Sequence, residues 1–88
     1  DTVVVYGVRR GRIILSARTK RRDIHIGKIL SSHWKDGLAG GHRELAGGQI
    51  PFDVILGDVP EDLDQASINA LEQMTEELKS LLPKINEE

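Results

Sequence analysis

Between Asp36 and Pro51 the chain reads DGLAGGHRELAGGQIP, and six of its nine glycines fall between positions 27 and 48. Glycine pairs open positive φ angles and leave backbone N–H groups unshielded by β-carbons, so this segment must be read through its main chain. The glycine pairs bracket His42, Arg43 and Glu44, which places cationic and titratable side chains where the backbone is least covered. A chain of 88 residues forms one domain with one core, burying roughly 60–65% of its unfolded surface. A deep cleft is therefore excluded, and any site is expected on a surface or a loop.

The net charge of -2 conceals a segregation that bears on the glycine segment. Residues 1–50 carry ten Lys/Arg against four Asp/Glu, and residues 51–88 carry two against ten. The glycines lie in the basic half, which suggests an electropositive face for a phosphate-bearing partner and an acidic helix elsewhere. The chain has no Cys, so disulfides and thiolate metal ligands are excluded. No apolar run approaches the ~18 residues of a membrane span, and no basic segment followed by an apolar one opens the chain. A cytoplasmic location is expected. The chain starts at Asp1 and enters Val3-Val4-Val5-Tyr6 at once, which reads as a piece excised from a longer polypeptide, with residues 1–88 forming a single domain.

Thr2 to Val8 is nearly continuous in β-branched and aromatic residues, Arg9-Arg10-Gly11-Arg12 supplies a polar turn, and Ile13 to Arg18 resumes the apolar pattern. This predicts a hairpin. Period-two alternation puts Ile13, Leu15 and Ala17 on one face, and Ile14, Ser16 and Arg18 on the other. Asp23 stands where a helix N-cap is expected, and Ile26, Ile29, Leu30 and Trp34 recur at helical spacing, predicting a helix over 24–34 that Gly37 ends. Gln49 to Leu56 reads as a strand, with Pro51 marking an edge or a bend, and Gly57 to Pro60 as a turn. A long amphipathic helix follows from Glu61, with Ile68, Leu71, Met74, Leu78, Leu81 and Leu82 as its apolar stripe and Pro83 as its stop. The expected fold is α/β: a small mixed β-sheet, a hairpin plus a further strand, packed with two helices in the order ββαβα.

Bare main-chain amides bind anions. No Lys-Ser/Thr follows a glycine as in the nucleotide-binding P-loop, and the spacing is not that of a dinucleotide-binding turn. The run Ala39-Gly40-Gly41-His42-Arg43-Glu44-Leu45-Ala46-Gly47-Gly48, then Gln49-Ile50-Pro51, resembles the Gly-Gly-Gly-His…Ala-Ala-Gly signature of the DHH-associated domain of the first subtype. That domain is the substrate-binding half of the RecJ-like, DHH-family phosphoesterases. Upstream, Ser16-Ala17-Arg18-Thr19 looks like the family's Ser-x-Arg-Ser strand end, and Asp23-Ile24 like the Asp that opens the helix leading to the glycines. The resemblance covers residues 13 to 52. Ala39 replaces the family's first glycine and Leu45 the first of its paired alanines; the Asp-His-His motif and the metal-holding aspartates are not in this sequence.

The resemblance implies a domain that binds a short single-stranded nucleic acid or a nucleotide phosphate. It would position that substrate for an exonuclease, oligoribonuclease or cyclic-dinucleotide phosphodiesterase. Arg18, His42, Gly40 and Gly41 would contact the nucleotide, with Ser16 and Arg43 as neighbours. Manganese or magnesium is expected in the partner DHH catalytic domain, with no cofactor and no catalytic residue in this chain. A related domain ends the alanyl-tRNA synthetases, which leaves a tRNA-binding or dimerising appendage as the alternative.

Other readings of these residues stay open at this level. Arg18 is either a phosphate ligand or a surface charge paired with Glu44 or Asp23; His42 is a ligand or bonds a neighbouring loop. Lys20, Arg21 and Arg22 are a solvated loop or a phosphate-steering one. Trp34 reads as a core anchor. The spacing of His25, His33 and His42 does not suit a zinc site.

Overall fold

The computed structural model describes residues 2–85, with side chains through Leu81. Its order is β1 (Thr2–Arg9), β2 (Arg12–Thr19), α1 (Ile26–His33), β3 (Ala39–Gly41), β4 (Leu45–Pro51), α2 (Phe52–Leu56) and α3 (Leu63–Ile85). The strands form one sheet in the order β1-β2-β4-β3, and every pairing is antiparallel. The result is a small α/β domain whose ββαβα sequence is elaborated by a third short strand and a one-turn helix.

The alternation in β2 is fully expressed. Ile13, Leu15, Ala17 and Thr19 are buried, whereas Arg12, Ser16 and Arg18 are exposed on the reverse face. All three helices cover the buried face, α1 beneath β3 and β4 and α3 beneath β1 and β2, leaving the other face of the sheet open. The helical side of the core is built from Ile26, Leu30 and Trp34 of α1 with its cap, Phe52 and Ile55 of α2, and Ala66, Ala70, Met74, Leu78 and Leu81 of α3. Trp34 is thus a core anchor, 3% exposed. Tyr6 fastens α3 to β1: its hydroxyl donates to Thr75, whose own hydroxyl donates to the Leu71 carbonyl.

Four expectations are corrected. The N-cap of α1 is His25, whose Nδ1 accepts from the Lys28 amide at 3.1 Å. Asp23 is instead engaged by Arg21 through both carboxylate oxygens, and the helix begins two residues later than expected because its first amides dock elsewhere: Ile26 N donates to the Arg43 carbonyl and Gly27 N to the His42 carbonyl, each at 3.0 Å. The strand expected over 49–56 lies at 45–51, since Pro51 has no N–H to continue the ladder and starts α2, burying Phe52 and Ile55 one turn apart. In α3 the buried stripe runs through Ala66, Ala70, Met74, Leu78 and Leu81, while Ile68 is half exposed. Two alanines let the helix lie close to its neighbours, which the larger apolar residues concealed. Pro83 does not stop α3, which continues to Ile85; the side chain of Leu82 lies outside the described residues.

Among the described residues, no helix is long and apolar enough to cross a membrane.

Candidate anion-binding face

The glycine segment is a hairpin, not an open loop. Gly40 pairs with Gly47 and Gly41 with Ala46 across β3 and β4, and the His42 amide closes the turn on the Leu45 carbonyl at 2.9 Å. The Gln49 amide donates to the Leu38 carbonyl at 3.0 Å, so the alternation of an antiparallel ladder makes Gly40–Gly47 the hydrogen-bonded pair between these two bonds. The expectation of bare, anion-binding amides along the glycine pairs is therefore corrected, because internal pairing takes up the amides of Gly40, His42, Gly47 and Gln49. Gly41 stands in the non-hydrogen-bonded pair with Ala46, its amide turned to the outer edge of the sheet.

Close approach accounts for the glycines. A β-carbon on Gly48 would stand 2.3 Å from the Leu38 carbonyl oxygen, and one on Gly27 equally close to that of Gly41. Strand crossing and helix docking leave no room there for a side chain.

The candidate site is the open face of the sheet, and its layout follows from the register. One row across the strands reads Val3, Arg18, Leu45, and the turn bond extends it to His42. The next row reads Val5, Ser16, Gly47, Gly40. The third is Gly7, Ile14, Gln49, and the last is Arg9, Arg12, Pro51. Ser16, Gly47 and Gly40 form a low strip with almost no side-chain height, bordered by the long side chains of the first row. Arg18 and His42 stand two strands apart, roughly 10 Å, close enough for their side chains to reach one nucleotide.

The four strands contain Arg9, Arg12 and Arg18 and not one carboxylate. Arg18 is exposed and makes no side-chain hydrogen bond or ion pair with any described residue, so neither Glu44 nor Asp23 neutralises it. The side chains of His42 and Ser16 are likewise exposed and form no such bond among the described residues. Arg43 differs: its guanidinium points at the carbonyls of Arg22 and Ile24, each 3.4 Å away, bracing the hairpin turn against the segment before α1. Arg21 is held by Asp23, and the same guanidinium keeps the Asp23 carboxyl below its usual 3.8 by its hydrogen bond first and its charge last. Lys20 precedes this pair on the loop and Arg22 lies between its two members.

The sequence singles out Ser16, Arg18 and His42, which the structure leaves exposed, and reads Arg9 and Arg12 as turn residues, whereas they close the β1–β2 ladder as its last pair. The signal was available: Arg12 lies on the same period-two face as Ile14, Ser16 and Arg18.

Guanidinium groups without internal partners offer charge-assisted, bidentate bonds to phosphate, while small residues beside them admit a flat ring or a sugar. No group of three or more His, Cys, Asp or Glu among the described residues could hold a metal ion, so these residues do not fit a metal centre. Comparison of the chain with protein-family models, curated proteins and solved structures returned no match.

Proposed function

We propose that this chain is a nucleic-acid- or nucleotide-phosphate-binding domain that positions its substrate for a metal-dependent phosphoesterase, with the catalytic metals held by a separate DHH-type domain. The reading is carried by one observation: the open, carboxylate-free sheet face presents Arg18, without a partner among the described residues, beside the low strip Ser16, Gly47 and Gly40. Arg18 takes a phosphate through two N–H groups, His42 contacts a second oxygen or the base, and the strip seats the sugar or ring. The hairpin backbone gives shape to this seat, while the side chains supply the bonds.

Charge-assisted contacts contribute about 1.5–3 kcal/mol each. Two of them correspond to weak, salt-sensitive capture, as suits a domain that hands substrate to a neighbour. On this reading hydrolysis belongs to the partner domain, and this chain contributes binding and positioning.

The test is a titration with short 5′-phosphorylated oligonucleotides at low salt, following backbone amide shifts. Shifts concentrated at Ser16, Arg18, Gly40 and Gly47, lost in Arg18→Ala, support the assignment. Saturating oligonucleotide with no shift at these four positions overturns it.

A further inference from the structure

The β1–β2 hairpin ends in a feature that the Arg18 site does not use. Arg9 and Arg12 face each other as a cross-strand pair, and Arg10 and Gly11 form the two-residue turn between them. Like charges directly opposite each other oppose strand pairing. Arg10 adds a second local cost: its φ is 50° and that of Gly11 is 76°, the signature of a type I′ turn, in which Asn is the favoured first residue. Three arginines thus gather at a tip where backbone and charge both argue against them.

The three line an open recess of about 370 Å³ together with Ile14 and Gln49. Among the described residues their guanidiniums meet no carboxylate, and the one side-chain bond is Arg12 to the Gln49 amide oxygen at 3.4 Å. A second shallow recess, lined by Arg12, Gly40, Gly47 and Gln49 among others, leads from this tip toward the glycine strip. Arg12 and Arg18 lie on one face of β2 six residues apart, roughly 20 Å. A stacked strand advancing about 3.4 Å per nucleotide covers that span in roughly six nucleotides.

We infer that the hairpin tip is a second phosphate site, formed by Arg9, Arg10 and Arg12, and that the open face from it to Arg18 is the track of a single-stranded oligonucleotide. The track rests on the proposed function, because Arg18 holds its other end; the tip site stands on its own geometry. A bound phosphodiester relieves the repulsion between Arg9 and Arg12, and Gln49 and the glycine strip leave the path between the sites unobstructed by charge. The preferred ligand is then a strand of about six nucleotides, not a mononucleotide or dinucleotide.

The experiment compares 5′-phosphorylated thymidine dinucleotide with the hexanucleotide, reading amide shifts at Gly11 and at Gly40 and Gly47, in the native chain and in Arg10→Asn. The substitution gives the turn its preferred residue, so melting temperature should hold or rise. Arg9→Gln gives the same reading without touching the turn. The expected result is that the hexanucleotide shifts both regions and the dinucleotide only the glycine pair. Arg10→Asn should then weaken hexanucleotide binding about tenfold and leave the dinucleotide unaffected. Hexanucleotide shifts confined to Gly40 and Gly47, with both variants binding like the native chain, overturn the second site and spare the proposed function. Shifts confined to Gly11 overturn the Arg18 assignment and the track while upholding the tip as an anion site. No shift in either region overturns both.

Discussion

The carbonyl oxygen of Gly41 lies 2.3 Å from where a β-carbon on Gly27 would stand, so helix α1 and strand β3 meet backbone to backbone. This contact lets the first two amides of the helix donate to the His42 and Arg43 carbonyls, and it fixes the turn that carries His42. The electropositive end of α1 is therefore spent on holding the hairpin.

Gly27→Ala should destabilise the domain by about 3 kcal/mol, the upper end for overpacking, because the obstacle is main chain and cannot rotate aside. Gly7→Ala is the control: nothing lies within 4 Å of its β-carbon position, so stability should hold or rise by about 0.5 kcal/mol. Thermal unfolding separates them, since about 1 kcal/mol moves the midpoint of a domain this size by roughly 4–8 °C. Equal midpoints for the two variants would refute the close contact.

On α3 the fully buried Met74 belongs both to the observed stripe and to the one the apolar spacing suggests, and the half-exposed Ile68 separates the two. Met74→Ala should cost about 2–5 kcal/mol through lost burial and a cavity, and Ile68→Ala less than about 0.5 kcal/mol. Denaturant melts decide the matter. A larger loss at position 68 would mean that the helix is rotated about its axis.

These contrasts show what the sequence could reveal. The β1–β2 hairpin was legible because alternation runs unbroken from Ile13 to Arg18 beside a Gly-containing turn, and it correctly placed Ser16 and Arg18 on one face. Strand β3 and the first half of β4 were not, since strand signals reside in side chains and these residues are mostly glycine; tertiary approach at Gly27 and Gly48 decides their course. Helix α2 is five residues long, too short for periodicity to separate Phe52 and Ile55 from a strand pattern. Asp23 is a better capping residue than His25 by composition, yet Arg21 claims its carboxylate. The same kind of competition diverts Arg43 to backbone carbonyls, which residue type alone does not disclose.

The Arg21–Asp23 pair gives a pH signature of defined sign. Its hydrogen bond and charge hold the folded-state carboxyl below 3.8, so the stabilisation is complete above the unfolded value and is lost as pH falls through the lower folded value. Neutralising Arg21 as Arg21→Gln should raise the Asp23 titration toward 3.8, read from its carboxyl carbon shift. The acid limb of stability below about pH 4 should shrink in the same variant. An Asp23 titration that does not move would show that the pair is broken in solution.

Arg18 and His42 supply the test that binds fold to function. Neither side chain bonds a described residue, so Arg18→Ala and His42→Ala should leave the melting midpoint within a few degrees of the native chain. Affinity should respond differently. Loss of a charge-assisted phosphate contact of about 1.5–3 kcal/mol predicts roughly 10- to 150-fold weaker oligonucleotide binding for Arg18→Ala. Removing one phosphate contact should also flatten the dependence of log affinity on log salt by about 0.7. Arg18→Lys keeps the charge but not the planar fork, and should recover the salt slope while recovering affinity only in part. Full recovery by lysine would mean that the face attracts anions by charge alone, and an unchanged slope in Arg18→Ala would remove this arginine from the interface.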